Sequence, residues 1–132
     1  MPSIFTRIIN GEIPCHKIAE DENYLAFLDV NPLVKGHTLV IPKVEVDYIF
    51  DLDEATLSGL MIFAQKVAKG VKAAVACNRI GLSVIGLEVP HAHVHLIPIN
   101  IMGDMNFSNK KGNPSSDDLA KTAALISRFV RK

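Results

Sequence analysis

Histidine at every second position, His91, His93 and His95, constrains this chain more than any other feature. A β-strand has a side-chain period of two, so the three imidazoles fall on one face and Ala92, Val94 and Leu96 on the other. The apolar face can pack on a core. The imidazole face needs partners, because a buried polar group left unpaired costs about 1–3 kcal/mol. Three explanations fit such a row from the residues alone. It can be a solvated strand face, a Zn²⁺ site built from alternate histidines, or a catalytic row in which one imidazole is a nucleophile and its neighbours orient it and bind charge.

The segments on either side resolve into alternating elements. Ser3 is placed to cap a short helix over Ile4–Asn10, with Gly11 as its stop. His16–Glu20 and Tyr24–Asp29 read as strands around the turn Asp21-Glu22-Asn23, and His37–Ile41 as a strand closed by Pro42. Asp53 caps a long helix over residues 54–76, striped by Leu57, Leu60, Met61, Ala64, Val67, Ala68, Val71 and Val75. Lys66, Lys69 and Lys72 form its solvated face. Arg79–Ile85 is the next strand, and Gly86 permits a turn toward the histidine strand. Pro90 lacks an amide donor, which puts it at that strand's first position, and Pro98 ends the strand. Residues 102–115 read as loop, where Lys110 and Lys111 are either exposed or near a ligand phosphate. Ser115 and Asp118 have capping-box spacing ahead of a final helix over 116–131, with Arg128, Arg131 and Lys132 toward its end.

A chain of 132 residues fits one domain, spanning 1–132, with a real core. Lys plus Arg equals Asp plus Glu at 14 each, so the total charge steers nothing toward nucleic acid or an anionic membrane. No apolar run is long enough for a transmembrane helix, and the start lacks a signal-peptide layout. Cys15 and Cys77 are expected as free thiols, in keeping with a cytoplasmic location.

The run His91-Ala92-His93-Val94-His95-Leu96-Ile97 resembles the His-φ-His-φ-His-φ-φ signature of the histidine triad (HIT) family. Two upstream blocks match in order. Ile4-Phe5 with Ile8-Ile9-Asn10-Gly11-Glu12-Ile13-Pro14 resembles the family's amino-terminal block. Leu25-Ala26-Phe27-Leu28-Asp29-Val30 with Lys35-Gly36-His37-Thr38-Leu39-Val40-Ile41-Pro42-Lys43 resembles its central block. The resemblance covers roughly residues 3–100 and is nearest the Hint-like branch, whose members hydrolyse nucleoside phosphoramidates and related purine nucleotides.

That resemblance implies an α+β domain: a mostly antiparallel sheet of about five strands, two main helices, a short N-terminal helix, and a two-fold homodimer. It implies that His93 is the nucleophile and forms a nucleotidyl-histidine intermediate. His95 then donates to phosphate oxygens or the leaving group, and His91 braces the row together with a fourth site histidine, His37. The implied purine pocket uses Phe5, Ile8 and Ile13. Asp29 receives the ribose hydroxyls, with Val30 beside it. Glu88 and Val89 offer backbone donors to phosphate. No metal or cofactor is required. Two departures stand out: Leu87 and Glu88 replace a frequent Gln and Ser of relatives. Many bacterial relatives hold structural zinc with Cys-x-x-Cys and a His, where this chain has Ser3, Thr6 and Glu45, so no such zinc is expected. Alternatives to a phosphoramidase are a nucleotide-binding regulatory module with residual activity, and a dinucleoside polyphosphate hydrolase or nucleotidyl transferase.

Overall fold

A computed structural model describes residues 2–130. Arg131 and Lys132, assigned above to the end of the last helix, lie outside the described residues. The fold is α+β. Five strands, β1 (Lys17–Glu20), β2 (Tyr24–Leu28), β3 (Thr38–Pro42), β4 (Arg79–Ser83) and β5 (Val94–Ile99), form one sheet in the order β1-β2-β3-β5-β4. Every pairing in it is antiparallel. Three α-helices accompany it: α1 (Ile4–Ile9), α2 (Glu54–Ala74) and α3 (Ser116–Phe129).

The helix starts follow their caps. The side chains of Ser3, Asp53 and Ser115 accept from the N–H groups of Thr6, Thr56 and Asp118, at 3.0, 2.7 and 3.1 Å. The β1–β2 turn is closed by Asp21, whose Oδ1 accepts from the N–H groups of Asn23 and Tyr24, both at 2.8 Å.

Strand periodicity sorts the core into two layers. Ala26, Leu28, Val40, Val94 and Leu96 face α2 and α3, where they meet Leu60, Val67, Val71, Ala123 and Ile126. Leu25, Phe27, Leu39 and Ile41 face the other way and pack with Phe5 of α1. His93 and His95 are odd-numbered neighbours of Val94 and Leu96, so they open on the α1 side. Among the described residues, no helix is long and apolar enough to cross a membrane.

Several boundaries differ from the sequence expectation. The β5 ladder begins at Val94, not at Pro90 or His91, because β3 pairs only as far as Val40 opposite Val94. Residues 91–93 keep their alternation outside the ladder, with Ala92 in the helix-side core. Pro98 does not end the strand, which runs to Ile99 with Pro98 opposite Ile80. Because β3 pairs with β5 only up to Leu96, Pro98 has a strand neighbour on one side alone, where a missing N–H is tolerated. The expected loop after β5 contains a 3-10 turn, Met102–Met105, where Asp104 Oδ2 accepts from Asn100 N–H at 2.8 Å and Ile101 N–H at 3.1 Å. A second 3-10 turn, Ile49–Asp51, precedes α2.

Candidate active site

The α1 face of the sheet carries a cavity of about 440 Å³, within the range of small-molecule sites. His37, His93 and His95 line it. So do Phe5, Ile8 and Ile13 on one wall, Asp29 and Val30 beyond β2, and Glu88 and Val89 in the segment leading to the histidines. His91 does not line it. Gly36, at φ +92°, turns the chain sharply just before His37, with its missing Cβ in the space next to Val75.

Hydrogen bonds fix the tautomers of four histidines, His37, His91, His93 and His95. His93 Nδ1 lies 2.7 Å from the carbonyl oxygen of His91. A carbonyl only accepts, so Nδ1 carries the proton and Nε2 keeps a free lone pair. His91 Nε2 lies 2.8 Å from the Pro42 carbonyl oxygen, so it donates, and Nδ1 accepts from the Ser3 hydroxyl at 2.8 Å. His37 Nδ1 accepts from Leu33 N–H at 3.1 Å, which puts the ring proton on Nε2. That proton is donated to His95 Nδ1 at 3.0 Å, so His95 carries its own proton on Nε2. Among the described residues, no buried side-chain polar atom is left unpaired.

Burial keeps the supporting rings neutral. It pushes His95 down to about 3, with the neighbouring His93 and His37 adding to the effect. His37 is lowered first by burial, against the pull of Asp29 and with help from Lys111. His91 is lowered by burial despite its bond to Pro42 and the nearby Glu45 carboxylate.

The sequence expectation that His91 and His37 brace the row together is corrected here. Each braces a different part. His37 reaches His95 across the sheet, whereas His91 turns away, is fully buried and ties the triad to Ser3 and Pro42. The β3–β5 ladder stops at Val40 opposite Val94, and the Pro42 carbonyl accepts from the His91 ring.

Asp29 Oδ1 accepts from Asn31 N–H at 2.9 Å, while Oδ2 stands 3.8 Å from His37 Nε2. Asp29, His37 and His95 bring one potential metal-ligand atom each within 4.8 Å of one another. The donor set fits a cation poorly. His37 would have to surrender its Nε2 proton while Leu33 N–H still occupies Nδ1, which asks for an imidazolate.

Sequence reasoning missed Phe107. Its ring meets His95 edge-on at a centroid distance of 4.8 Å and His37 at 6.2 Å, and it lines the cavity. It sits in an irregular stretch with no periodicity to mark it. Lys111 also lines the cavity, with Nζ donating to the carbonyl oxygens of Phe107 and Asn109. Asp29, Glu88 and Lys111 are the formally charged lining residues, and Glu88 is exposed on the rim.

Comparison with known proteins agrees with this geometry. Residues 10–101 match the HIT domain. An adenosine 5'-monophosphoramidase of Schizosaccharomyces pombe is 37% identical over 100 residues, which is 74% of each chain. A Hit-like protein involved in cell-cycle regulation from Bartonella henselae superposes with a TM-score of 0.83 at 31% identity, over 96% of this chain and 95% of that one. A hypothetical histidine triad nucleotide-binding protein from Sulfolobus tokodaii gives a TM-score of 0.82 at 29% identity, covering 96% of this chain and 90% of that one. With a matched domain, structural neighbours of the same family, and His93 and His95 of the alternating row at one cavity, this chain belongs to the HIT family.

Proposed function

We propose that the protein hydrolyses purine nucleoside phosphoramidates, or related nucleoside monophosphate derivatives, through a covalent nucleotidyl-His93 intermediate. The observation that carries this reading is the bond from His93 Nδ1 to the His91 carbonyl at 2.7 Å. It leaves Nε2 as a neutral nucleophile in a cavity lined by His93, and it supports the positive charge that develops on the ring during attack.

The base lies against Phe5, Ile8 and Ile13, the ribose hydroxyls donate to the Asp29 carboxylate, and the α-phosphate faces His93. Backbone N–H groups of Glu88 and Val89 serve the non-bridging oxygens. His93 Nε2 forms a bond to phosphorus as the phosphorus–nitrogen bond breaks. The leaving amine keeps the electron pair and takes one proton, passed on by His95 Nε2–H and replaced from water. Water then attacks phosphorus, the His93–phosphorus bond breaks, and one proton returns to solvent. The two half-reactions together consume one water and no net proton.

The relative from Schizosaccharomyces pombe supports the substrate class. A specific observation favours a second substrate: Lys111 puts an ammonium at a cavity whose histidines 37 and 95 are neutral, which suits an anionic leaving group such as the second half of a dinucleoside polyphosphate. The edge position of β4 supports a two-fold homodimer in which the sheets of two copies join. The proposed setting is the cytoplasm, where the free thiols of Cys15 and Cys77 stay reduced.

A substrate panel with wild-type protein and His93→Ala tests the proposal. Wild type is expected to release the amine and form a trappable nucleotidyl adduct on His93, and His93→Ala to do neither. Equal rates in the two proteins would remove His93 from the mechanism.

A further inference from the structure

The side chains of Ser3, Thr6, Glu45 and His91 form a hydrogen-bonded cluster away from the cavity, and the proposed chemistry uses the His91 carbonyl but none of these side chains. Glu45 follows β3 and is exposed, yet one carboxylate oxygen, Oε1, accepts from Ser3 N–H at 2.6 Å and from the Thr6 hydroxyl at 2.6 Å. These bonds hold the Glu45 carboxyl below the usual carboxylate range. The Ser3 hydroxyl, having accepted Thr6 N–H at 3.0 Å, donates to His91 Nδ1 at 2.8 Å. The carbonyl of the same His91 holds the proton on His93 Nδ1.

The end of β3 and the loop after it hold the histidine segment at two more points. Pro42 accepts from the His91 ring at 2.8 Å, and the Val46 carbonyl accepts from Ala92 N–H at 2.7 Å. The cluster therefore ties three pieces that have no ladder between them: the start of α1, the loop after β3, and residues 91–93. Phe5, the second residue of α1, meets His93 edge-on at 5.0 Å and Phe27 at 5.6 Å. A helix of six residues has little stability of its own, so its position depends on such ties.

We propose that Glu45 is a positioning residue of the nucleotide site: by clamping the Ser3–Thr6 end of α1, it sets both the Phe5 wall and, through Ser3 and His91, the carbonyl that fixes the His93 tautomer. The inference rests on His93 acting as the nucleophile. Glutamine at position 45 keeps the accepting oxygen and removes the charge. Alanine removes both.

The test compares wild type, Glu45→Ala, Glu45→Gln and Ser3→Ala as full-length protein. Steady-state kinetics with an adenosine phosphoramidate are read beside the imidazole ¹⁵N spectra of His91 and His93 and the thermal midpoint. Glu45→Ala is expected to lower kcat/KM about tenfold, within the range a small displacement of a reacting group produces. KM should rise as the Phe5 wall loosens, and kcat should fall as the His93 signals lose their single Nδ1–H form. Glu45→Gln should restore kcat/KM to within about twofold of wild type. Ser3→Ala should shift the His91 Nδ1 resonance and lower kcat. Unchanged kcat/KM and unchanged His93 spectra in Glu45→Ala would overturn the proposal. So would a fall in kcat alone that tracks the unfolded fraction. If wild type fails to turn over phosphoramidates, the functional reading falls, while the ¹⁵N spectra still decide whether Glu45 holds the tautomers.

Discussion

Replacing His37 by phenylalanine tests the link between backbone geometry and chemistry most directly. Phenylalanine keeps a flat ring but adds volume at this buried position, an overpacking cost of about 1–3 kcal/mol that has to be read separately from turnover. Two hydrogen bonds disappear: Leu33 N–H to Nδ1 at 3.1 Å, and Nε2–H to His95 Nδ1 at 3.0 Å. The second loss matters for turnover, because it frees His95 to present a bare nitrogen instead of an N–H to the leaving group. A buried acceptor left without its donor costs about 1–3 kcal/mol. If that cost falls on the transition state, kcat drops about 5- to 150-fold, at 1.36 kcal/mol per tenfold. The assay is single-turnover release of amine from an adenosine phosphoramidate, with urea unfolding run in parallel to measure stability separately. Full kcat in His37→Phe would refute the tautomer chain, as would a wild-type ¹⁵N spectrum with the His95 proton on Nδ1.

Acid should destabilise the fold before carboxylates titrate. His37, His91 and His95 all have native values below their unfolded value, so the native state binds fewer protons. Their contribution is complete above about pH 6.5 and is lost as pH falls toward the native values, at up to about 1.4 kcal/mol per pH unit for each histidine. Urea unfolding from pH 7.5 to 5 checks this, and a flat profile would contradict it. Asp29→Asn should narrow the preference for ribonucleotides over 2'-deoxynucleotides about tenfold, since a charged acceptor contributes about 1.5–3 kcal/mol. Comparative kcat/KM values on the two sugars decide it. Gly59→Ala in α2 would place a Cβ 2.1 Å from the Tyr24 hydroxyl, which itself donates to the Thr56 carbonyl at 2.9 Å. Overpacking of about 1–3 kcal/mol should outweigh the roughly 1 kcal/mol that alanine normally gains in a helix, so the urea midpoint should fall.

Local rules reached a long way into this protein. Period-two alternation put His93 and His95 on one face and Val94 and Leu96 on the other, and it did so whether or not a ladder formed. Ser3, Asp53 and Ser115 marked the helix starts because a cap bonds within its own first turn. The family blocks located His37 and Asp29. None of these rules sees across the chain. That His37 meets His95 from 58 positions away, that His91 turns to Ser3 from 88, and that Phe107 closes on His95 were decided by the tertiary structure alone. A histidine's tautomer depends on what its two nitrogens touch, and those contacts exist only once sheet, helix and loop have packed. The sequence therefore determined which side chains stand in the row, and the fold decided which nitrogen each of them offers.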